Sequence, residues 1–97
     1  MQRAAIIIRD PYQQYEGLRT SVCFRLAGMR VEMFVLHHKI ENMDKAYRDN
    51  MIYLDGIGGR RFSNNSENAK NYGFSHVTIA QAAEKVRQAD IVIPFGK

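Results

Sequence analysis

A single cysteine, Cys23, is all the thiol that 97 residues offer, so no disulfide can close within the chain and no thiolate cluster can hold a metal. That scarcity fits a reducing compartment, and the expected localisation is cytoplasmic. Long apolar runs are missing as well. None approaches the roughly 20 residues needed to cross a bilayer, and the first residues lack the organisation of a signal peptide. Clustered charge of one sign is equally scarce: the net charge is +4, yet the cationic residues are scattered and Arg60-Arg61 is the one adjacent basic pair. Nucleic-acid surfaces show a denser basic patch interleaved with aromatics, so neither nucleic acid nor membrane is expected as a partner. Repeats, low-complexity tracts and linkers are absent too, which leaves one domain over residues 1–97.

What is present is an α/β pattern. Ala4-Ala5-Ile6-Ile7-Ile8 is a short, β-branched, wholly apolar run. A strand apolar on both faces must be covered on both, so it reads as the central strand of a parallel sheet. Asp10-Pro11-Tyr12-Gln13 then reads as a helix start, with Asp10 as N-cap, Pro11 at the first helical position and Gln13 closing a capping box. The helix runs to Ala27, with Tyr15, Leu18, Val22 and Leu26 as its apolar stripe and Gly28 ending it. Cys23 sits beside that stripe and is expected to be buried.

Val31 to Leu36 predicts the second strand. Asn42 is placed to cap a helix through Leu54, with Met43, Tyr47, Met51 and Leu54 on one side. The glycines of Asp55-Gly56-Ile57-Gly58-Gly59 invite comparison with phosphate-binding loops. They close a helix and enter a strand, the reverse of a dinucleotide fingerprint, and no Gly-Lys-Ser/Thr follows, so they are turn residues. Arg60 to Ser63 is a third strand. Asn64 and Glu67 have capping-box spacing before a short helix ended by Gly73, and Phe74 to Val77 is a minor extended piece. Thr78-Ile79-Ala80-Gln81 opens the last helix, with Ile79, Ala82, Ala83 and Val86 as its apolar face. Ile91 to Phe95 is the last strand, and Pro94, which cannot donate to a ladder, makes it short or near an edge. The fold class that follows is a three-layer α/β sandwich with a mostly parallel sheet of four to five strands and helices on both faces.

In such sheets ligands bind at the carboxyl ends of the strands. The residues delivered there are Asp10, His37, His38, Ser63 and Asn64, which are the candidate ligand-binding set. Neighbouring strand residues point to opposite faces, so one histidine at most is expected at any one site, and no metal site or cofactor is expected. The Ser63-Asn64-Asn65-Ser66 loop, ahead of a helix, offers backbone N–H groups that would suit an anion. No third group is in view to orient a histidine–serine pair for catalysis.

Ile6 to Pro11, Tyr15-Glu16-Gly17-Leu18-Arg19, Val31 to Leu36 and Ala89 to Gly96 together resemble the small DsrE-like proteins, the superfamily of the sulfur-relay subunits TusD and DsrE. The resemblance covers nearly the whole chain and implies the same three-layer fold. It also implies assembly into dimers, trimers or hexamers, with relay-type protein partners, and Met43, Tyr47, Met51 and Tyr53 are the expected contact face. Sulfur-handling members carry a persulfide on a cysteine just after the third strand, where a helix N-terminus stabilises a thiolate. Here Ser63 or Asn64 stands in that place, and neither carries a persulfide. The expected function is therefore a non-catalytic binding or accessory subunit related to intracellular sulfur transfer. The alternatives are a small-ligand or anion-binding α/β domain, or a relay component using a cysteine from a partner chain.

Overall fold

The computed structural model describes residues 1–41 and 43–96. The chain runs β1 (Arg3–Ile8), a single 3₁₀ turn (Pro11–Gln13), α1 (Gln14–Leu26), β2 (Arg30–Val35), α2 (Lys45–Gly56), β3 (Arg60–Ser63), α3 (Ser66–Tyr72), β4 (Ser75–His76), α4 (Ile79–Arg87) and β5 (Ile91–Phe95). The five strands form one parallel sheet in the order β4-β3-β2-β1-β5. β1 lies inside it between β2 and β5, as its two-sided apolarity requires, and Pro94 is on an edge strand.

Alternation along the strands sorts the core into two layers. Ala4, Ile6 and Ile8 of β1 join Val31, Met33 and Val35 of β2 beneath Leu18 and Val22 of α1 and Tyr47, Met51 and Leu54 of α2. Ala5, Phe34 and Phe62 face the other way, toward Ala82 of α4, with Phe34 and Phe62 stacked at 5.3 Å between centroids. Right-handed crossovers account for this: three consecutive connections wind one way and put their helices on one face, and the long return from β4 to β5 carries α4 across the other. The expected three-layer α/β sandwich is the observed one.

Several local expectations change. The buried face of α1 is Gln14, Gly17, Leu18, Ser21 and Val22, while Tyr15, Leu26 and Cys23 are exposed. The cause is Gly17, whose missing side chain lets α1 settle against β1: a Cβ there would lie 2.4 Å from Ile8 Cδ1. Cys23 is thus a surface residue and not part of the core. The expected cap Asn42 lies outside the described residues, and Asp44 caps α2 by accepting from the Tyr47 N–H at 2.8 Å. Tyr47 and Met51 are spent on the chain's own core, so of the expected contact face only Tyr53 stands out as exposed. Arg61 pairs with Asp55 through two bonds of 2.8 Å and donates to the Tyr72 carbonyl, tying α2, β3 and α3 together.

Gly17→Ala tests the close approach of α1 to β1. Alanine ordinarily adds about 1 kcal/mol of helix stability over glycine, but overpacking a filled core costs about 1–3 kcal/mol. The clash with Ile8 is expected to win, giving a lower midpoint in urea unfolding at unchanged helix content.

Candidate functional site

The carboxyl ends of β1, β2 and β3 lie side by side, and three asparagines on the β3–α3 side hold the segment that leaves β2. Asn64 Oδ1 accepts from the His37 N–H at 2.7 Å, and Asn65 Nδ2 donates to the His37 carbonyl at 3.3 Å. Asn68, fully buried, accepts from the Ile40 N–H at 2.8 Å and donates to the His38 carbonyl at 3.0 Å. This clasp maintains His37 at φ 80°, left-handed backbone that a side chain resists. Asn64 was expected to cap α3. Asn65 does so instead, accepting from the Glu67 and Asn68 N–H groups, because Asn64 is engaged across the strand with His37.

Ser63, expected on the rim, is fully buried. Its hydroxyl donates to the Val35 carbonyl at 2.7 Å and accepts from the Asn65 N–H and from Asn68 Nδ2, both at 3.1 Å. One donor and two lone pairs are all it has, so nothing is left for a ligand or for nucleophilic attack. The anion site expected in this loop is filled in the same way, by the side chain of Asn65.

The two histidines part company across the sheet. His37 lies with Ile7, Arg9 and Leu36 beside α4, whereas His38 turns toward α1. His38 Nε2 is 2.7 Å from Gln14 Oε1, and Gln14 Nε2 donates to the Tyr47 hydroxyl. Read from this network, the imidazole carries its proton on Nε2, leaving the buried Nδ1 without a hydrogen-bond partner. Burial holds the His38 pKa below the ordinary 6.5, against the opposing pull of the Leu36 carbonyl and the Asp10 carboxylate, with His37 adding to the depression. Burial also pushes the Tyr47 hydroxyl up to about 12, so both groups stay neutral at neutral pH. Asp10 caps the 3₁₀ turn, accepting from the Tyr12 N–H at 2.9 Å.

Beside His38 opens a groove of about 640 Å³, lined by Pro11, Tyr12, Gln14, His38, Lys39, Ile40 and Glu41. It lies within the range of about 300–1,000 Å³ typical of small-molecule sites. The neighbouring crevice between the carboxyl ends of β1 and β5 is closed by the chain itself. Arg9 donates to the Phe95 carbonyl at 2.7 Å, and Gly96 sits so near that a Cβ would be 2.9 Å from the Asp10 nitrogen. Of the five candidate residues, then, Asp10 and His38 serve the groove side, His37 and Asn64 pair on the far side, and Ser63 is internal. Gln14 and Asn68 are not singled out by the sequence, while Tyr47 reads there as stripe and contact face and Asn65 as part of the loop before α3. Among the described residues no three His, Cys, Asp or Glu side chains converge to hold a metal ion, and no helix is long and apolar enough to cross a membrane. Comparison with protein-family models, curated proteins and solved structures gives no match.

Asn68→Ala is expected to lower stability by roughly 2–4 kcal/mol, since it orphans the Ile40 N–H and the His38 carbonyl at about 1–3 kcal/mol per buried group. Hydrogen exchange at Ile40 should accelerate with it. The depressed His38 pKa carries a definite sign. The unfolded chain takes up the proton first, so stability is full above pH 6.5 and falls as pH drops from 6.5 through the lower folded value. Urea midpoints from pH 7.5 to 5 should show that fall, and His38→Gln should remove part of it.

Proposed function

We propose that this chain is a non-catalytic binding domain that takes a small ligand in the groove beside His38. One observation carries the reading: Gln14 and Tyr47, two polar side chains buried in the apolar layer, form a hydrogen-bonded chain ending on an imidazole at the groove wall. Burying such groups costs stability unless each is paired, and a paired chain of this kind fixes the orientation of its last member. Neither the serine nor the cysteine that could serve as a nucleophile beside that imidazole lines the groove. The Ser63 proton is committed to Val35, and Cys23 lies nine residues beyond Gln14 on α1, roughly 13 Å along the helix axis.

The resemblance to DsrE-like proteins extends the proposal to an accessory subunit of intracellular sulfur transfer, self-associating and working beside relay partners that supply the thiol. What supports this extension is the β3–α3 junction, the place that the resemblance gives to the sulfur-carrying cysteine: Ser63, Asn65 and Asn68 form a hydrogen-bonded strut there.

The test is a panel of phosphate, sulfite, thiosulfate, nucleosides and free amino acids, read by thermal shift and by the ring resonances of His38 and Tyr12. At a hundred times its Kd a ligand adds about 2.7 kcal/mol of stability. At least one class should stabilise the protein and move both rings. His38→Ala should abolish the shift, and Arg87→Ala, exposed on α4 across the sheet, should leave it. Stabilisation that leaves both rings unmoved would place binding elsewhere and reject the groove.

A further inference from the structure

After His38 the groove wall continues through Lys39, Ile40 and Glu41. Ile40 is buried in the core layer and its two neighbours are exposed, so the chain alternates here as an extended segment does. Lys39 and Glu41 therefore share the outward side, about 7 Å apart along the chain. They carry opposite charges, and the three ion pairs found among the described residues involve neither of them. Facing them are Pro11 and Tyr12, and the tyrosine is 93 % exposed, an aromatic surface with nothing laid on it.

A simple anion is poorly served here. Asp10 already accepts from the Tyr12 N–H of the turn leading into α1, and the Glu41 carboxylate stands two residues from Lys39 on the same wall, where it repels an anion. A simple amine meets Lys39 as a like charge. A molecule bearing both charges a few ångströms apart, with a flat apolar body, satisfies all three features together. Resting on the binding reading above, we propose that the groove recognises a free α-amino acid with an aromatic side chain: carboxylate toward Lys39, ammonium toward Glu41, ring against Tyr12.

The experiment titrates the protein with L-phenylalanine, 3-phenylpropionate and phenethylamine, following the ring resonances of Tyr12 and His38. L-Phenylalanine should shift both rings saturably. Each singly charged analogue should bind up to about fivefold more weakly, the weight of one exposed charge contact. Lys39→Glu should weaken the amino acid, and the double exchange K39E/E41K, which restores an opposite pair, should recover it. Both positions are exposed, so the variants keep their fold. Equal binding of the three probes, or no recovery in the double exchange, overturns the proposal. If L-phenylalanine is silent while another molecule of the wider panel moves the same rings, the amino-acid reading falls and the groove stands. If nothing moves them, both fall.

Discussion

The structure depends on how the backbone from His37 to Ile40 is held. A segment leaving a buried parallel strand carries N–H and C=O groups into a region where water is scarce, and each must find a partner. Asn64, Asn65 and Asn68 provide four of these partners from the neighbouring connection. Amide side chains suit the task because each both donates and accepts, so one residue can answer an N–H and a C=O at once. Asn68 does this with no exposure to solvent, and its third bond reaches Ser63, which returns the connection to Val35. The carboxyl ends of β2 and β3 are thereby locked in register. The positive φ of His37 follows from that locking: the strain is tolerated because bonds on either side of the residue leave the backbone no other course.

The groove inherits its shape from the same clasp. With His37 turned back, His38 is thrown to the opposite face of the sheet, where Gln14 receives it. Gln14 is able to sit there because α1 lies close to β1, and α1 lies close because Gly17 presents no side chain to Ile8 and Ser21 on the same buried face is small. Small residues on a helix, an amide chain in the core and a strained histidine thus belong to one arrangement. Its counterpart on the other face is thinner, with one short helix covering the sheet and leaving Ile79 and Val92 in contact with solvent.

Much of the fold was legible in the sequence, because strands buried on both faces leave apolar, β-branched runs that few other elements produce. Arg60–Ser63 and the Thr78–Gln81 capping box fall where their residues place them. The site was less legible, and the reasons are particular. The phase of α1 follows large apolar residues when read by periodicity, yet the packing follows the small ones. Relative to Leu18, Cys23 lies about 140° round the helix and is turned outward. Asn64 and Asn65 are the same residue type one position apart, and only the tertiary partner, the His37 N–H, decides which of them caps α3. His37 and His38 lie beyond the end of β2 at Val35, so the left-handed turn at His37, and not strand alternation, sends them to opposite sides.

Electrostatics narrows what such a rim can do. A helix N-terminus attracts anions only while its N–H groups are open. Here the turn that leads into α1 and the helices α2, α3 and α4 each have a leading N–H engaged by a side chain of their own connection: Asp10, Asp44, Asn65 and Thr78. A thiolate or phosphate arriving at the strand ends would find those donors occupied, and at α1 and α2 it would also meet carboxylates. Stabilisation of a developing or transferred anion by backbone N–H groups, a chemistry often built on such a rim, therefore competes here with the chain's own side chains. What remains open is an imidazole oriented by Gln14, a charge of each sign on Lys39 and Glu41 that no ion pair among the described residues takes up, and the exposed ring of Tyr12. Charge of both signs beside an aromatic face is a set suited to recognising a molecule that carries both charges and a flat apolar body.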